Sequence, residues 1–246
     1  VKLGTRRFWP DKADRSLVIE QNNISGRVSY WHDGAHQSMA DAHGISLADY
    51  IHAMYGFLRQ ARAHDVLMIG CGGGTLATML YRSGVNVTVV DIDARTFELA
   101  RRYFNLPAEV RCEVADGAAF LRQSRDRYDA IVLDAYDGAD VPVQFMKSSY
   151  FTSVKAHLAR GSGIYLENIL VDDDDDRAPD ERARLLQKTW AGVRLLDCDG
   201  WVDRNAVVLA GAVRGLRRPK VILRPARGAR TLERDLASLK FRRLRD

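Results

Sequence analysis

The chain has 246 residues, with 37 Lys and Arg against 32 Asp and Glu, a formal charge of +5 and 46% hydrophobic residues. That balance excludes a disordered chain, and no apolar run nears the roughly 18–20 residues of a membrane span, the longest covering residues 206–213. Three cysteines, Cys71, Cys112 and Cys198, with no close pair, argue against a disulfide framework and a zinc site.

Lys2, Arg6 and Arg7 are followed by no apolar leader, so a soluble cytoplasmic protein is expected, without a metal site. Residues 1–45 read as a small β module. Ser16–Glu20 and Arg27–Trp31 are strand-like, and Asp33-Gly34 turns the second into Ala35–Met39, because both turn residues tolerate a positive φ. From Leu47 to Gln60 apolar residues recur at three and four, a helix.

The pattern then changes to alternating strands and helices. Strands are expected at Val66–Ile69, Val85–Val90, Val110–Val114 and Tyr128–Leu133, with helices at 75–82, 94–104 and 117–123. Continuous apolar strands spaced by helices predict an α/β fold with a doubly wound, mostly parallel, Rossmann-like sheet over residues 46–213. A helix near 147–158, a strand at 163–168, a helix at 179–191 and strands near 193–196 and 205–210 complete it. The acidic run Asp172–Asp176 reads as a solvated loop, since five consecutive carboxylates cannot all face one ion. Residues 214–246 hold 12 Lys and Arg against 3 Asp and Glu and read as a basic C-terminal tail, with Leu232, Leu236 and Leu239 at helical spacing. No basic-aromatic interleaving accompanies the charge, so nucleic acid is not expected as a partner.

Strand ends carry the chemistry. Gly70-Cys71-Gly72-Gly73-Gly74 joins the first core strand to its helix, and four glycines in five positions let backbone approach a ligand that a Cβ would block. About 20 residues on, Asp91-Ile92-Asp93 ends the next strand, where a carboxylate can accept from ribose hydroxyls. Asp116-Gly117 ends the third, placed to accept from an exocyclic adenine amine. The competing reading is that Asp91 and Asp116 merely cap the helices that start at Asp93 and Gly117. The fourth strand ends in Asp134-Ala135-Tyr136-Asp137, two carboxylates suited to an amine nucleophile, which must be held and deprotonated before it attacks.

These residues resemble the spermidine synthases, or polyamine aminopropyltransferases. The likeness runs over about residues 26–210, from Asp33-Gly34-Ala35-His36-Gln37 and His52-Ala53-Met54 through the glycine loop, Asp91-Ile92-Asp93, Asp116-Gly117 and Asp134–Asp137. The fold it implies is class I methyltransferase-like. It also implies transfer of an aminopropyl group from decarboxylated S-adenosylmethionine to a diamine such as putrescine, with no tightly bound cofactor and a homodimer or homotetramer. Asp134 would be the base; Asp137, Gln37, His52 and Tyr136 would contact the amine substrate. Gly70, Gly72, Gly74, Asp91, Ile92, Asp116 and Gly117 would hold the nucleoside. Departures include a glycine loop one residue shorter and without its acid, Ile51 for a tyrosine, Ala53 for a glutamate and Ala135-Tyr136 for Ser-Thr. The missing acid opens one alternative, a methyltransferase using intact S-adenosylmethionine; another is a non-catalytic nucleoside- or polyamine-binding homologue that binds a partner through its basic tail.

Overall fold

The computed structural model describes residues 4–10, 14–136 and 140–245. At the N-terminus β1 (Thr5–Phe8), β2 (Leu17–Asn22), β3 (Val28–His32) and β4 (Ala35–Ala40) form an antiparallel sheet in that order. Asp33 and Gly34 both take positive φ at the β3–β4 turn, as the Asp-Gly pair predicts. Leu17, Ile19, Val28 and Tyr30 pack this sheet on Leu99 and Phe104 of a core helix, so the module is not free of the domain behind it.

Helix α1 (Asp49–Gln60) leads into the main sheet. Its parallel part contains β5 (Asp65–Ile69), β6 (Asn86–Asp91), β7 (Arg111–Val114), β8 (Ala130–Leu133) and β9 (Ile164–Val171). The antiparallel part adds β10 (Val193–Asp197), β11 (Arg204–Gly211) and β12 (Lys240–Arg242), giving the order β12-β10-β11-β9-β8-β5-β6-β7. Alternation along β5 sends Val66 and Met68 to one hydrophobic layer and Leu67 and Ile69 to the other, so helices cover both faces. Helices α2 (Thr75–Tyr81) and α3 (Ala94–Phe104) follow β5 and β6, whereas α4 (Gly117–Gln123), α5 (Ser148–His157) and α6 (Ala178–Gln187) supply the opposite layer.

The chain runs outward from β5 through β6 to β7, then returns to place β8 on the other side of β5. That reversal makes a crevice between the C-terminal ends of β5 and β8, the place where open α/β sheets bind ligands.

The basic segment is built into the fold. Asp41 accepts from the Ala226 amide (2.7 Å), Gln60 exchanges hydrogen bonds with the Arg217 backbone, α7 (Ala229–Ser238) buries Leu232 and Leu236, and β12 extends the main sheet. The acidic run is a turn capped by its own carboxylates, with Asp174 paired to Arg204. Among the described residues no helix is long and apolar enough to cross a membrane, and no His, Cys, Asp and Glu group could hold a metal ion.

Candidate active site

A cavity of about 900 Å³ opens over the switch point and is shared by the main sheet and the N-terminal module. Gly70 is where the two strand ends touch. Its φ is +97°, and a Cβ there would lie 2.0 Å from the Asp134 carbonyl oxygen, so only glycine lets the loop after β5 pass this close to the loop after β8. Gly72 also lines the cavity. Gly74, by contrast, caps the start of α2 in the left-handed region and is not a lining residue.

Asp91 holds the glycine loop to the end of β6. Its Oδ2 accepts from the Cys71 amide (2.8 Å) and its Oδ1 from the Asp93 amide (2.9 Å), which fixes the carboxyl plane and leaves further lone pairs for a ligand. Burial raises its pKa against those two hydrogen bonds. Ile92, 73% exposed, offers an apolar side chain at the rim. Asp116 caps α4 through the Ala119 amide (2.7 Å), and its other oxygen accepts from Gln144 Nε2 (2.8 Å). The carboxyl expected to read an adenine amine therefore already has two protein partners, one of them on a short 3-10 turn (Val143–Met146). Gly117 lies against Ile69, where a Cβ would approach to 2.4 Å.

Asp134 follows the buried strand β8 and lines the same cavity. Its Oδ1 accepts from Asn168 Nδ2 (2.9 Å) and its Oδ2 from the Tyr50 hydroxyl (3.3 Å). Burial pushes its pKa above the ordinary carboxylate value, against the lowering effect of those two bonds. The result is an oriented carboxyl with enhanced proton affinity, the property a general base needs.

The amine-side residues divide. Gln37 lines the cavity because the β3–β4 register shifts there: Tyr30 pairs with Ser38 and Trp31 with His36, leaving Gln37 as the extra residue of a bulge. Tyr136 also lines it, but its hydroxyl donates to the Asn168 carbonyl (2.6 Å) and accepts from the Leu170 amide (3.0 Å). A hydroxyl so engaged pins its loop to β9. His52 is not brought to the cavity: it is 1% exposed within α1, and its Nε2 lies 2.8 Å from the Ser46 carbonyl oxygen, which makes it a buried brace for the segment before the helix. Asp137 falls outside the described residues.

Four contributors escape sequence reading. Tyr50 reaches Asp134 from 84 positions away, beside the Ile51 that stands for a tyrosine in the resemblance. Asn168 interrupts the apolar β9, and that polar residue was the available signal. Ser38 accepts from the Gly73 amide (2.8 Å), docking β4 on the glycine loop, and Gln144 holds Asp116.

With this geometry in place, comparison with known proteins gives a consistent picture. The family model described as "Methyltransferase domain" matches residues 66–159. A probable polyamine aminopropyl transferase of Bifidobacterium longum is 36% identical over 113 residues, covering 45% of this chain and 25% of that protein. A polyamine aminopropyltransferase of Neisseria meningitidis serogroup A is 30% identical over 173 residues, 66% of this chain and 65% of that protein. The chain thus spans less than two thirds of the length of these relatives. In fold it is similar to the crystal structure of a probable spermidine synthase from Corynebacterium glutamicum, with a TM-score of 0.71 and 19% identity, covering 94% of this chain and 88% of that one.

Proposed function

We propose that this divergent spermidine synthase-like chain transfers an aminopropyl group from decarboxylated S-adenosylmethionine to an amine acceptor such as putrescine, releasing methylthioadenosine. The observation that carries the reading is Asp134: a carboxyl oriented by Tyr50 and Asn168, made more basic by burial, and set across the switch-point crevice from the glycine loop. The nucleoside would lie along that loop, its ribose on Asp91 and its base between Ile92 and Asp116-Gly117. The acceptor amine would enter past Tyr136 and Gln37, with Asp137 as a further contact.

In the reaction the amine nitrogen bonds to the carbon attached to the sulfonium, and the carbon–sulfur bond breaks with its electron pair returning to sulfur. A positive sulfonium leaves as a neutral thioether, so the departing group needs no proton. The nitrogen loses one, and Asp134 is the acceptor. In-line placement and a single base account for the step.

Incubating the protein with decarboxylated S-adenosylmethionine and putrescine should yield methylthioadenosine and spermidine, and absence of both across a set of diamines would refute the proposal. The glycine loop without an acid favours a second reading, methyl transfer from intact S-adenosylmethionine, which would release S-adenosylhomocysteine instead.

Two substitutions separate binding from chemistry. Asp91→Ala removes a charged acceptor of the ribose and should raise the dissociation constant of methylthioadenosine roughly 10- to 150-fold by calorimetry. Tyr50→Phe removes a hydrogen bond that lowers the Asp134 pKa. The base must be ionised to act, so the acidic limb of the pH–rate profile should move to higher pH in Tyr50→Phe; an unmoved or lowered limb would separate Tyr50 from the base.

A further inference from the structure

Among the buried tyrosines, Tyr30 stands apart. It is 3% exposed in β3, its side chain packs with Leu99 and Phe104, and its hydroxyl has no hydrogen-bond partner among the described residues. A buried tyrosine normally finds one. Buried Tyr55 and Tyr165 do, through Ser83 and Glu167, as do half-buried Tyr50 and Tyr136, through Asp134 and Asn168. Tyr128 and Tyr150 also lack partners, but their hydroxyl oxygens are sealed from solvent and neither residue lines the cavity. Tyr30 does line it, and its oxygen is not among the sealed ones.

The register says where the ring is aimed. Tyr30 is the cross-strand partner of Ser38, so the two side chains share one face of the N-terminal sheet. The Ser38 hydroxyl on that face accepts from the Gly73 amide, which puts Tyr30 over the glycine loop. The bulge that shifts the register begins immediately after Tyr30, a device that re-aims side chains beside sites. Asp93 and Asp91 are close enough to add to burial in raising the proton affinity of the phenol.

We propose that Tyr30 is a substrate-binding residue whose hydroxyl donates a hydrogen bond to a ribose hydroxyl of the bound nucleoside, making the N-terminal module one wall of the sugar pocket. This rests on the nucleoside reading above and adds to it a donor from the N-terminal sheet. Donor and acceptor counting supports the assignment. An ionised carboxylate only accepts, so a ribose hydroxyl that donates to Asp91 keeps an oxygen lone pair open. A protonated phenol lining the same cavity as Asp91 can fill that lone pair, and a phenol so hard to ionise keeps its proton at working pH. A ligand lacking the hydroxyl would leave the phenol without an acceptor and the carboxylate with only its two amide donors.

The test is calorimetric binding of 5′-methylthioadenosine and its 2′-deoxy and 3′-deoxy analogues to the wild type and to Tyr30→Phe, which keeps the packed ring. Wild type should prefer the ribonucleoside over one deoxy analogue. Tyr30→Phe should weaken the ribonucleoside roughly 3- to 10-fold while leaving that analogue nearly unchanged, so that the preference shrinks by the same factor. A general structural defect would weaken all three ligands together and would overturn the assignment, as would an unchanged preference. Failure of the wild type to bind methylthioadenosine at all would instead remove the nucleoside reading on which the assignment depends.

Discussion

Asp134→Asn should lower kcat for aminopropyl transfer by about 10²–10⁴ while the dissociation constant of methylthioadenosine changes little. Asparagine keeps the shape, and with its amide oxygen accepting from Asn168 Nδ2 and its amide nitrogen donating to the Tyr50 hydroxyl oxygen both contacts persist, so the loop after β8 should hold its course. What is lost is the proton acceptor. Because burial raises the Asp134 pKa, the wild-type rate should fall as pH drops through a value above the ordinary carboxylate range, and that acidic limb should vanish in the variant. A variant with wild-type kcat would leave Asp134 as a structural carboxyl. Equal losses in nucleoside affinity and rate would place it in binding and not in proton transfer.

The second large effect belongs to the C-terminal strand. Arg242 on β12 reaches Asp180 at the start of α6 through two 2.8 Å hydrogen bonds and Asp197 at the end of β10 through a third of 2.8 Å. Asp180 and Asp197 are 0% and 2% exposed. Burial acts to raise both carboxyls, but the hydrogen bonds from Arg242, with Arg204 also on Asp197, hold them below the usual range. Arg242→Ala strands the Asp180 charge in the interior and should cost about 3–5 kcal/mol of unfolding free energy in a denaturant titration. Since these carboxyls have depressed folded pKa values, their contribution is complete above the unfolded value of about 3.9 and is lost as pH falls below it, so the gap between wild type and variant should narrow in acid. Pairing Arg242→Met with Asp180→Leu should recover most of the loss, because it removes the stranded charge and not merely its partner. A loss under about 1 kcal/mol in Arg242→Ala would mean that the ion cluster is solvated and the strand weakly held.

The readable part of this protein is the part written in local patterns. Helices α3 and α4 fall at the residues expected from periodicity, 94–104 and 117–123, because each begins at an acid that caps it, Asp93 and Asp116. The Asp33-Gly34 turn and the glycine loop are equally local, since both depend on positive φ at residues that tolerate it. The parallel core followed from strands apolar throughout. Local pattern could not show that Tyr50 and Asn168 converge on Asp134, which needs β8 and β9 side by side and the first turn of α1 within reach of the residue after β8. That His52 lies away from the cavity is hidden from local pattern for the same reason. Its position in a motif is sequential, but helical rotation turns it into the interior, toward Ser46. The basic C-terminal segment was legible as charge and not as structure, because β12 is three residues long and gains its meaning from buried acids at 180 and 197.

A crystal structure of the protein with methylthioadenosine tests the central claim most directly. The thioether sulfur should lie beside the Asp134 carboxyl, with the ribose on Asp91 and the open side of the cavity, toward Gln37 and Tyr136, free for an amine. A nucleoside bound with its sulfur remote from Asp134, or excluded from the crevice between β5 and β8, would contradict it.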